Sequence, residues 1–63
     1  MLDENIEKLK LDIEIVKILK RNKIVKIRQL TNKTKTKLKE FGLVGYQISE
    51  IEIKLQLEGL DLK

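Results

Sequence analysis

The residues of this chain whose types and spacing could do chemistry are its lysines and arginines. Lys33, Lys35, Lys37 and Lys39 occupy every second position of TNKTKTKLKEFG (31–42), with no acid before Glu40. They close a longer block: from Lys17 to Lys39 there are ten basic residues (17, 20, 21, 23, 26, 28, 33, 35, 37, 39) and no carboxylate. All ten acids lie outside it together with four lysines, so 23 residues carry +10 and the remainder carries −6. Such a block belongs to a disordered tail or to a surface that meets a polyanion. Leu19, Ile24, Ile27, Leu30 and Leu38 thread through it at regular intervals, which argues for a folded segment. Contact with nucleic-acid phosphate is the working expectation, set against a solvated face with no partner.

Other chemistry is nearly absent. Without His or Cys there is no familiar nucleophile–base pair, no usual zinc ligand and no disulfide, and Ser49 is the only serine. Glu50 and Glu52 fall on different faces of a helix, and no calcium-loop spacing occurs. The expectation is a non-enzyme with no catalytic residue, no metal and no cofactor. The longest apolar run is two residues, as at Ile18-Leu19, too short for a transmembrane helix or a secretory signal. A cytoplasmic monomer without a membrane partner is expected. The basic amphipathic stretch 13–28 could lie on anionic lipid, but the break at Asn22-Lys23 argues against it.

The elements that must position these charges are built from aliphatic residues. At 63 residues the chain is a single domain, 1–63, with nine Ile, eleven Leu and three Val but one Phe and one Tyr. A chain of this size buries only about 60% of the surface its unfolded form exposes. Asp12 is a good N-cap for IEIVKILKRN, whose Ile15, Val16 and Leu19 share one side opposite Glu14, Lys17 and Arg21. Asn22 tolerates the left-handed conformation that ends helices, so this helix should stop near Asn22-Lys23. Ile27 and Leu30 then lie one helical turn apart.

Thr34 offers a second N-cap, for a helix over residues 35–40. On that helix Lys35 and Lys39 share one face, Lys33 and Lys37 lie towards the other, and Leu38 and Phe41 point inward. Gly42 and Gly45 make FGLVG (41–45) a turn suited to positive φ or close backbone approach. QISEIEIKLQLEG follows, with Ile48, Ile51 and Leu55 on one helical stripe, Gly59 at its end, and Leu60-Asp61-Leu62 free to fold back on the core. Against this stands a strand reading, because Ile51, Ile53, Leu55 and Leu57 alternate strictly, as do Leu9, Leu11, Ile13 and Ile15. Propensity does not separate the two, since neither margin exceeds a few tenths of a kcal/mol per residue.

The order of these elements resembles the C-terminal domain of the bacterial RNA polymerase α subunit. The residues that carry the resemblance are Leu9 and Leu11, Leu19-Lys20, Ile24, Ile27, Leu30, Thr34, Leu38, Gly45, Glu50-Ile51, Leu55 and Gly59-Leu60, over roughly residues 6–62. The resemblance implies an all-α fold, a compact small bundle of four to five short helices with helix-hairpin-helix character. It also implies a module of the transcription machinery that binds the DNA minor groove and touches a regulator or the polymerase. In that family the DNA surface comes from the start of the first long helix and from the glycine hairpin before the last helix.

The DNA-binding residues implied here are Lys17, Lys20 and Arg21 on the first helix and Gly45, Tyr46 and Gln47 in the hairpin. Binding to double-stranded DNA would be weak and salt-dependent. One departure stands out: the family's groove-entering Arg aligns with Glu14, which would repel phosphate, and Lys17 stands in place of a nearby Asn. Glu14 also fits a helix N-terminus and an intrahelical pair with Lys17. Tyr46 would stack or hydrogen-bond at the hairpin, or pack over Phe41. Ile53 and Leu57, off the main stripe, are candidates for a protein contact, although covering by Ile6 and Leu9 is preferred. The alternative function is therefore a protein–protein interaction module that keeps this fold and has lost DNA binding.

Overall fold

Asp12 caps the first long helix, its Oδ1 accepting the Glu14 N–H at 2.9 Å. In the computed structural model, which describes all 63 residues, this helix is α1 (Ile13–Arg21). A 3-10 turn (Ile6–Leu9) precedes it, and α2 (Ile27–Thr31), α3 (Lys35–Glu40) and α4 (Gly45–Leu57) follow. No strand forms, and the only β-type pairing is a bridge between Asn5 and Lys26. The protein is all-α, and α3, a short turn and α4 make a helical hairpin whose two arms pack together. Lys35, Lys37 and Lys39 therefore fan around a helix, with Lys33 in the connection before it and Thr34 Oγ1 accepting the Lys37 N–H at 3.1 Å.

Three of the four helices stop in the same way. At the end of α1, Lys23 N–H donates to Lys20 O and Ile24 N–H to Leu19 O; at α3, Gly42 donates to Lys39 O and Leu43 to Leu38 O; at α4, Gly59 donates to Gln56 O and Leu60 to Leu55 O. The pivots Lys23, Gly42 and Gly59 all have positive φ (63°, 104° and 73°), and each is followed by an apolar residue that returns to the core. α1 stops at Asn22-Lys23 as expected, but the left-handed residue is not Asn22. Asn22 keeps φ −100° and donates its Nδ2 to Ile18 O at 2.8 Å, while Lys23 takes the left-handed turn.

Neither alternating run is a strand: residues 51–57 are helical throughout, while Leu9 closes the 3-10 turn, Leu11 lies in the connection and only Ile13 and Ile15 belong to α1. On a helix, residues two apart point about 200° away from each other. Ile51 and Leu55 accordingly face the core, whereas Ile53 and Leu57 face solvent. At the start of α1 the same rule buries Ile15 and exposes Ile13. Fourteen aliphatic residues form one cluster with no polar side chain inside it, and Phe41, Leu60 and Leu62 pack against it from outside. The N-terminal stretch is tied down by backbone bonds from Ile6 N–H to Val25 O, Ile27 N–H to Glu4 O and Arg28 N–H to Leu2 O. Ile6 and Leu9 are thereby buried in the core and do not cover Ile53 and Leu57, contrary to the preferred sequence reading.

Candidate functional site

The fold brings acids to the basic block. Lys17 pairs with Glu14 (3.8 Å), Lys20 with Glu7, Arg28 with Asp3 (3.0 Å), Lys35 with Glu52 (3.3 Å) and Lys37 with Glu40 (3.3 Å). These pairs are mostly exposed, so solvent screens them and each adds little to stability. Their effect on the electrostatics is larger, because half of the ten cations now have a carboxylate beside them. The hydrogen bond from the Lys20 ammonium holds the Glu7 carboxyl below its ordinary range. Arg21, Lys23, Lys26, Lys33 and Lys39 keep no acidic partner within 4.0 Å. Of the three α1 cations expected to meet phosphate, only Arg21 is left unpaired.

The start of α1 and the start of α4 do adjoin. The Asp12 N–H donates to Glu50 Oε2 at 2.8 Å, and a groove between the two helices is lined by Asp12, Glu14, Ile15, Tyr46, Gln47 and Glu50. Glu14, Tyr46 and Gln47 thus meet in one place, while Lys17, Lys20 and Arg21 do not line it. Gln47 is committed to the fold, its Oε1 accepting the Val44 N–H at 3.0 Å in the manner of a capping box. Gly45 is the first residue of α4 and not part of the turn; its φ is not positive, and a Cβ there would meet nothing within 4 Å. Only Gly42 makes the turn by positive φ. The amides of Gly45 and Tyr46 make no hydrogen bond within the chain, as expected at a helix N-terminus. An anion approaching them would meet three carboxylates and no lining lysine.

The outer face of α4 is different. Tyr46, Ile53 and Leu57 are 77%, 57% and 73% exposed. Tyr46 therefore is not packed over Phe41, whose ring instead has Lys37 Nζ 5.8 Å from its centroid. A shallow groove over the middle of α4 is lined by Tyr46, Ser49, Glu50, Ile53 and Lys54. A third, at the far end, is lined by Lys8, Leu9, Lys10, Lys54, Leu57 and Glu58. Sequence alone pointed to Ile53 and Leu57 here and to Tyr46 only in the hairpin; Tyr46 lines both the α1–α4 groove and this face, and Glu50, Lys54 and the two N-terminal lysines were not picked. The signal for the charged members was present, since Glu50 and Lys54 lie one turn apart on the side of α4 that Ile53 and Leu57 occupy.

No protein-family model matches the chain, and no characterised protein is significantly similar to it. No group of three or more His, Cys, Asp or Glu side chains is placed to hold a metal ion, and no helix is long and apolar enough to cross a membrane.

Proposed function

We propose that this domain is a protein–protein interaction module whose contact surface is the outer face of α4. The observation that carries the reading is the exposed stripe Tyr46, Ile53 and Leu57 on a helix whose opposite face already fills the core. Large apolar side chains aligned on one exposed face are the usual mark of a contact surface. The groove at the starts of α1 and α4, where a domain like that of RNA polymerase α would meet the DNA minor groove, carries Asp12, Glu14 and Glu50. Like-signed charge there disfavours a phosphate backbone. Membership of the transcription machinery, with a polymerase or regulator as partner, is compatible with this reading and rests on the resemblance alone.

A second reading keeps double-stranded DNA as the partner but moves it. Arg21, Lys23, Lys26, Lys33 and Lys39 are exposed or half-buried, unpaired, and confined to the stretch from the end of α1 to α3. They could hold phosphate without using the acidic groove, with an affinity that falls steeply with salt.

An NMR titration with a short A·T-rich duplex at two salt concentrations separates the readings. The interaction reading expects no shifts at residues 14, 17 and 45–47, and no gain from Glu14→Arg. If the domain docks on DNA at the α1–α4 groove, Glu14→Arg replaces a repulsion by an attraction and should raise affinity roughly tenfold at low salt. Shifts confined to residues 21–39, lost at moderate salt, would favour the second reading.

A further inference from the structure

Resting on the reading of this face as a protein contact, we propose that its occupant is a second copy of the chain, the two α4 helices lying antiparallel across a two-fold axis. The stripe is narrow and straight. At 100° per residue Tyr46, Ile53 and Leu57 fall within about 40° of one another, over a length of roughly 16 Å. Its two ends are oppositely charged. Beside Tyr46 lie Asp12, Glu14 and Glu50; beside Leu57 lie Lys8, Lys10 and Lys54, with Glu58 the single acid. Glu14 and Lys8 are ion-paired within the chain, with Lys17 and Glu4, and Asp12 Oδ1 and Glu50 Oε2 each accept a backbone N–H, which softens the contrast without reversing it.

A surface that is acidic at one end, apolar in the middle and basic at the other is complementary to itself turned end for end. With the axis crossing α4 near residue 52, Tyr46 lies against Leu57 of the second copy. Glu50 then reaches Lys54 of the second copy, the reverse pair forms by symmetry, and the two Ile53 side chains flank the axis. A parallel arrangement would set acid on acid and lysine on lysine. The closed two-fold arrangement is also the commonest among homo-oligomers, because each patch is used twice. The contact is small: a tenth of the 4114 Å² surface is about 400 Å² per copy, which belongs to the weak class of interfaces. A contact of this size is weak, so dilute protein is expected to be monomeric and concentrated protein to self-associate.

Sedimentation equilibrium and an NMR dilution series on the whole chain test this directly. The expected result is a reversible monomer–dimer equilibrium, weakened by salt, with amide shifts along residues 46–57 on the outer face. Leu57→Asp, at an exposed position, should leave the circular dichroism unchanged and abolish the dimer. The charge arrangement has its own test. Lys54→Glu and Glu50→Lys should each self-associate more weakly than the parent. Mixed, they should form a heterodimer, because both cross-axis pairs then join opposite signs. Should Glu50→Lys fail to fold after losing its bond to the Asp12 N–H, the dilution series and Leu57→Asp still decide.

A chain that stays monomeric at millimolar concentration, a dimer that survives Leu57→Asp, or a mixture no tighter than its folded components overturns the proposal. Monomeric behaviour leaves the broader interaction reading in place with another partner. Duplex DNA that shifts the Tyr46 and Gln47 amides removes that reading itself, whatever the dilution shows.

Discussion

Ile51 and Ile53, and Leu55 and Leu57, are the same residues set two positions apart on one helix. Ile51 and Leu55 are wholly buried, whereas Ile53 and Leu57 are among the most exposed apolar side chains of the molecule. Half a turn separates their directions, and what lies on each side separates their roles. The inner face of α4 meets α3 and the aliphatic cluster, so its side chains stabilise the fold by leaving water. The outer face has the same tendency to leave water and nothing in the chain to satisfy it. One helix thus carries a folding face and an exposed apolar face, and residue type does not distinguish them.

Truncating the two leucines in turn gives the largest expected difference. Leu55→Ala leaves a cavity in a packed core and should destabilise the domain by about 2–5 kcal/mol, enough to unfold much of a chain this small. Leu57→Ala should change stability by less than about 0.5 kcal/mol. Urea denaturation of both variants checks this, and equal losses would break the distinction between the faces.

The helix ends supply a medium-sized effect. Ala at Gly59 would meet no neighbour but would be forced to φ +73°, so Gly59→Ala should lower stability by about 1 kcal/mol through the backbone alone. Lys23 occupies the equivalent place at the end of α1, and Lys23→Gly should raise stability by up to about 1 kcal/mol. Thermal melts read both. A destabilised Lys23→Gly would mean that the lysine side chain contributes more than its strained backbone costs.

The smallest effect is a pH dependence that belongs to the fold and to neither face of α4. The Glu7 carboxyl, held low by its hydrogen bond to Lys20, binds its proton less readily in the folded chain than in the unfolded one. Its stabilisation is therefore present above the ordinary carboxylate range and is lost as pH falls through the lowered folded value. Glu7→Gln should flatten the slope of melting temperature against pH below neutrality, and an unchanged slope would remove the role assigned to this pair.

The candidate surface was only partly legible. Ile53 and Leu57 were visible as an i, i+4 pair off the main stripe, but their exposure was not, because it depended on where Ile6 and Leu9 went. Those two are drawn into the core by the backbone bonds that pin residues 2–6 against residues 25–28. Tyr46 was placed in a DNA-facing hairpin, and it lies at the head of the apolar stripe because α4 begins at Gly45, two residues earlier than the turn chemistry suggested. The +10 block was legible as composition, but its pairing with Asp3, Glu7 and Glu52 was not, because those acids reach it only through the fold.

By itself the sequence determined the local caps and stops at Asp12, Thr34 and Gly59 and the inward stripes of α1 and α4, Ile15, Val16 and Leu19 and Ile48, Ile51 and Leu55. Asp12, Thr34 and Gly59 act on amides and carbonyls within a few residues, and the core positions of each helix follow from its own periodicity. Such contacts form within a single helix, whatever the rest of the chain does. Only the tertiary structure decided the charges and the exposed face. Arg28 meets Asp3 across 25 residues and the Asp12 N–H meets Glu50 across 38, contacts set by how the elements stack. The same stacking covers Ile51 and leaves Ile53 in water, because burial is a property of neighbours and not of the side chain that is buried.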